Sequence, residues 1–131
     1  MKYRFFVDNN VLVVEPPLVK HELPRDDAAL LLIGIQKWEA MASFVEQEER
    51  LPFDGMSRTC ALCKVYANDL LYSGDDCSRC PVFAATGWRR CNETPYGNWV
   101  WACCDDTVEA GLAAARAEVE FLKGILESLD N

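Results

Sequence analysis

The chain opens on two short apolar runs, Tyr3-Arg4-Phe5-Phe6-Val7 and Val11-Leu12-Val13-Val14, placed around Asp8-Asn9-Asn10. β-Branched and aromatic residues on both sides of a turn that tolerates left-handed backbone predict a β-hairpin over residues 1–17. Pro16-Pro17 closes it, because proline cannot donate to a ladder. A lone hairpin is marginal in water, so this one must lie on another element. Further on, Leu31, Ile35, Trp38, Ala42 and Val45 recur at four-then-three spacing. That stripe predicts a helix over residues 25–50. Pro24 and Asp26-Asp27 suit its positive end. Residues 51–59, with Pro52, Gly55 and Ser57, read as a loop. A second stripe, Val108, Leu112, Ala115, Val119, Leu122, Leu126 and Leu129, predicts a helix over residues 106–129. Asp106-Thr107-Val108-Glu109 resembles a capping arrangement at its start. The two stripes are natural partners in an antiparallel helix pair. The alternative is a homodimer seam.

Between the helices the pattern changes to cysteines. Cys60-Ala-Leu-Cys63 and Cys77-Ser-Arg-Cys80-Pro81 are separated by thirteen residues. Each pair is a tight turn that aims two sulfurs at one point, and two such knuckles complete the tetrahedron that Zn²⁺ prefers. Residues 60–104 therefore read as a cysteine-rich zinc module with Cys60, Cys63, Cys77 and Cys80 as ligands. Such a site is structural, and its metal couples to folding. Cys91, eleven residues after Cys80, is a substitute ligand or a neighbour of the metal. Five cysteines with a Cys-Pro step also permit an iron–sulfur cluster as the alternative cofactor. Lys64–Tyr72 reads as a short helix turning Val65, Leu70 and Leu71 inward, and residues 73–76 as a turn before the second knuckle. Cys103 and Cys104 are adjacent, so their side chains diverge; they read as core or exposed thiols. His21, the only histidine, reads as a surface residue.

Length and charge narrow the picture. The 131 residues fit one domain, residues 1–131. The formal net charge is −8, which disfavours generic binding to nucleic acid or to an anionic membrane. Acid flanks the cysteine module: residues 105–131 carry seven acidic and two basic side chains, whereas residues 60–104 carry four of each. No apolar run reads as a membrane span or signal-peptide core. Seven cysteines without an export signal read as cytosolic thiols, where metal ligation is favoured over disulfides.

Trp88, Tyr96, Trp99 and Trp101 are dense enough to stack on unpaired bases, with Arg79, Arg89 and Arg90 holding phosphates. The other reading packs these aromatics as a small core around the module. Catalysis finds little support. A single histidine offers no Cys–His arrangement, no Gly-rich phosphate loop or nucleophile elbow appears, and a four-thiolate zinc keeps no open position.

Several of these elements, taken together, resemble a group of small bacteriophage-encoded cysteine-rich proteins. They are Lys37-Trp38-Glu39 in the first helix, Cys60-Ala-Leu-Cys63-x-x-Tyr66, Cys77-Ser-Arg-Cys80-Pro81-Val82, Thr86-Gly87 leading to Cys91, Thr94-Pro95-Tyr96-x-x-Trp99, and Glu120-Phe121-Leu122 in the last helix. The likeness covers residues 28–126; the hairpin, Cys103 and Cys104 fall outside it or apart from its motifs. It implies an accessory protein acting in the cytoplasm of an infected bacterium and carries over no catalytic residues. The combined expectation is a small α+β domain: an antiparallel helix pair, a four-cysteine zinc module and an N-terminal hairpin. The expected function is non-enzymatic binding of a host or phage protein with a basic surface, for example to inhibit a host defence or nucleic-acid enzyme. Nucleic-acid binding through the zinc module is the alternative. The chain is expected to act as a monomer or homodimer, away from membranes.

Overall fold

Asn9 and Asn10 both adopt positive φ, 55° and 61°. Two successive left-handed residues make the type I′ turn whose twist matches paired strands. In the computed structural model, which describes residues 2–55, 59–66, 81–82 and 94–129, they join β1 (Arg4–Asp8) to β2 (Val11–Glu15). The pairing is antiparallel, from Arg4 opposite Glu15 to Asp8 opposite Val11. Leu12 and Val14 alternate into the core while Val11 and Val13 are only half-buried, as period-two burial requires. β1 packs on the first long helix, so the hairpin is not left alone.

That helix, α1, spans Asp27–Glu48. It starts where Asp26 accepts a hydrogen bond from the Ala28 N–H at 3.3 Å and stops where Glu49 turns left-handed at φ 55°. Leu30, Leu31, Ile33, Ile35, Trp38, Met41 and Val45 are buried along it. This is broader than the single stripe read from the sequence, and α1 is long and apolar enough to cross a membrane by length and composition alone. In this fold most of its large apolar residues join the core, while Leu32 is exposed.

Three further helices are described. Two of them are α2 (Ala61–Tyr66) and α3 (Pro95–Asp105). The third, α4, spans Val108–Ser128 and follows α3 after two intervening residues, Asp106 and Thr107. α4 runs antiparallel to α1. Leu51 meets Gly111, Glu46 pairs with Arg116 at 2.7 Å, and the Leu122 side chain lies against Gly34. The fold is therefore α+β, with an N-terminal hairpin and a set of packed helices.

Two expectations change. The buried face of α4 is Gly111, Ala114, Ala115, Glu118, Val119, Leu122 and Ile125. Leu112 and Leu126 are only half-buried and Leu129 is exposed. α4 is clasped by both α1 and α3, so its core face is rotated toward the small residues that let two neighbours approach. The second change is α3 itself, which occupies the end of the stretch read as cysteine-rich module. Pro95 stands at its first turn, and Thr94 caps it by accepting from the Tyr96 N–H at 3.2 Å. Of the short helix expected at Lys64–Tyr72, residues 67–72 lie outside the described residues, as do the turn at 73–76, Cys77, Arg79, Cys80, Trp88, Arg89, Arg90 and Cys91.

Candidate functional site

The residues that approach the first cysteine pair are positioned by the hairpin. The Leu12 N–H donates to the Phe53 carbonyl at 2.7 Å, and the Phe53 N–H to the Asn10 carbonyl at 2.9 Å. Loop residue Phe53 is thereby bridged to the outer edge of β2, parallel to Val11. The next two residues turn inward. Gly55 takes φ +83°, and a Cβ there would stand 2.8 Å from Thr59 Cγ2, so glycine alone fits. The Thr59 hydroxyl donates to the Asp54 carbonyl at 2.6 Å. This closes the loop and delivers the chain to Cys60.

Asp54 faces a buried cation. Its Oδ2 lies 3.4 Å from Lys37 Nζ, with both side chains almost fully enclosed. Lys37 shares the inner side of α1 with Ile33 and Met41, one turn before and after it. Across the core stands Glu118 of α4, 5 % exposed. Its Oε2 has no partner among the described residues. Burial pushes the Glu118 acid up to about 7; a charge on Cys60 adds to this, and Lys37 and the Tyr96 backbone oppose it. Lys37, Asp54 and Thr59 thus form one buried polar group from α1 and the loop, and Glu118 is a second buried acid, on α4.

Cys60 is half-buried and immediately precedes α2, its carbonyl accepting from the Lys64 N–H at 3.0 Å. Cys63 falls in the first turn of α2. A pair three residues apart, spanning a helix start, is a placement that suits a zinc knuckle. Cys77, Cys80 and Cys91 lie outside the described residues, and within those residues no group of three His, Cys, Asp or Glu side chains could hold a metal. Pro81 and Val82, next to Cys80, are buried, and Val82 joins the core to which Ala61, Leu62 and Val65 contribute.

The aromatic residues separate into two groups. Tyr96 and Trp99 stand edge-on to Trp38, with centroids 5.8 and 5.4 Å away. Trp99 is fully enclosed and has no face to offer a nucleotide base. The Lys37-Trp38 and Thr94-Pro95-Tyr96-x-x-Trp99 runs, far apart in sequence, meet here. Trp101 does the opposite: it is 71 % exposed, beside exposed Val100. Cys103 and Cys104 are exposed on the same helix, and His21 is exposed in a 3-10 turn.

The burial of Lys37 and Glu118 went unread in the sequence, where Lys37 stood only in the Lys37-Trp38-Glu39 run. The signal was their spacing: each charged residue falls at i±3 or i±4 from residues that the core buries. A comparison with protein-family models, with curated proteins and with solved structures gives no match.

Proposed function

We propose that this is a non-enzymatic bacteriophage accessory protein that binds a host or phage protein with a basic surface, in the cytoplasm of the infected cell. The observation that carries the reading is Trp101. A tryptophan 71 % exposed on a folded helix is the side chain most suited to anchor a protein interface. It also lies near an acidic end of the helix set. α1 ends in Glu46, Glu48 and Glu49, and α3 ends in Asp105 and Asp106; neither has a basic residue in its last turn. The Glu46–Arg116 pair and the short α3–α4 turn bring both ends to the beginning of α4. Helix C-termini carry partial negative charge, so these carboxylates reinforce a field that a cationic partner would relieve.

The zinc module belongs to the same reading. In it, Cys60, Cys63, Cys77 and Cys80 hold one structural Zn²⁺, with Cys91 as substitute. The resemblance of its motifs to those of the phage-encoded group supports this, as does the position of Cys60 and Cys63 at the start of α2.

The test is affinity capture from infected bacterial lysate, followed by direct titration of the captured protein. Binding should weaken with salt and fall at least tenfold on Trp101→Ala. Salt-sensitive micromolar binding to labelled single-stranded oligonucleotides would instead favour the nucleic-acid reading.

A further inference from the structure

Helices commonly end in Lys, Arg or His, whose charge suits the partial negative charge of the terminal carbonyls. The last turn of α3 has no basic residue; it ends in Asp105, with Asp106 as its C-cap. Both aspartates are exposed, and neither carboxylate is in an ion pair among the described residues. The nearby end of α1 repeats the pattern with exposed Glu48 and Glu49. The Cys103 thiol on the same turn of α3 is pushed up to about 11, by burial first and then by Asp54, Cys104 and Asp106. Among the described residues, then, nothing supplies the cation that the end of α3 favours.

An aromatic ring stands beside this uncompensated charge. Trp101 is 71 % exposed and makes no ring or cation–π contact among the described residues. Asp105 is four residues further along the helix, and residues four apart are surface neighbours. Helical side chains tilt toward the N-terminus, so Asp105 leans back over the turn that carries Trp101. An indole face next to a carboxylate matches a guanidinium better than an ammonium. The guanidinium is planar and weakly hydrated, so it stacks on the ring while its fork of N–H groups meets both carboxylate oxygens. An ammonium is compact and strongly hydrated, and reaches the same place only as a point charge.

We propose that Trp101 and Asp105 form a docking site for an arginine side chain of a basic partner protein, the guanidinium lying on the indole and pairing with the carboxylate. The proposal rests on the protein-binding reading above and gives it a preference at the level of one side chain. Charge decides against the other occupants. A nucleic-acid backbone meets Asp105 and Asp106 as like charge, and so does the same acidic end of a second copy.

The experiment titrates the full chain, labelled with ¹⁵N, with octa-arginine and with octa-lysine at low salt. Of the four tryptophan indole N–H resonances, that of Trp101 is assigned by its loss in Trp101→Phe. Octa-arginine should move it and leave the resonance of enclosed Trp99 in place. Octa-lysine should bind about threefold more weakly, and Asp105→Asn should weaken octa-arginine by about threefold, the size of effect that an exposed cation–π contact or ion pair supplies. Equal affinity for the two peptides overturns the arginine site and leaves the basic-partner reading standing. So does octa-arginine binding that leaves the Trp101 indole unmoved or ignores Asp105→Asn. Binding of neither peptide overturns both. A single-stranded oligonucleotide that binds more tightly than octa-arginine and moves the Trp101 indole overturns both in favour of base stacking.

Discussion

Trp99 of α3 meets the ring of Trp38 of α1 edge-on, with centroids 5.4 Å apart and planes inclined by 75°. Edge-to-face pairs add to the area they bury, and Trp99 is among the largest fully enclosed side chains here. Trp99→Ala should cost about 3–5 kcal/mol of stability, and Trp99→Phe distinctly less. Urea unfolding followed by circular dichroism measures both. A loss under about 1 kcal/mol for Trp99→Ala would mean that α3 is not packed as described.

The buried Lys37–Asp54 pair should behave differently from a surface one. Removing one partner strands the other in the core. Lys37→Met or Asp54→Ala alone should therefore cost about 3–5 kcal/mol. Removing both should cost less than the sum, since neither charge is then left unpaired. By contrast, Glu46→Ala should change stability by about 1 kcal/mol or less, because the Glu46–Arg116 pair is largely solvated. A double-mutant cycle in denaturant gives each number.

Gly55→Ala should destabilise through the backbone. The left-handed φ of +83° and the approach to Thr59 both oppose a Cβ, and the left-handed term alone is about 1–2 kcal/mol. Gly124→Ala is the control, since a Cβ there meets nothing within 4 Å. That helical site should gain about 0.5–1 kcal/mol. Thermal melts of the two variants should move in opposite directions.

The hairpin and the two long helices were legible because each is specified locally. Two asparagines can supply a type I′ turn, and Leu31, Ile35, Trp38 and Val45 fall on one face of a helix whatever that face meets. The rotation of the α4 face was not legible, since it depends on α3 packing from the other side. Nor was α3 itself. Pro95-Tyr96-Gly97-Asn98 resembles a loop until Thr94 is seen to cap it and Trp99 to dock on Trp38. The cysteine spacing reads as a metal site in the sequence, but Cys77, Cys80 and Cys91 lie outside the described residues. The burial of Lys37, Asp54 and Glu118 did not announce itself, because they come from three separate stretches of chain and charged residues are ordinarily read as surface.

Cys103 offers a test by pH. Its thiol is pushed up from 9.0 to about 11, first by burial and then by Asp54, Cys104 and Asp106. Alkylation proceeds through the thiolate. A raised pKa lowers the thiolate fraction at pH 8, to about a thousandth instead of about a tenth. The rate at Cys103, followed by mass mapping after iodoacetamide treatment, should therefore be low at pH 8. It should climb about tenfold per pH unit to about pH 10 without levelling off. Asp106→Asn removes one of the charges that oppose ionisation and leaves the buried Lys37–Asp54 pair untouched, so it should speed the reaction at pH 8. A rate that levels off near pH 9, or that ignores Asp106→Asn, would show that the carboxylates at the end of α3 do not act on this thiol.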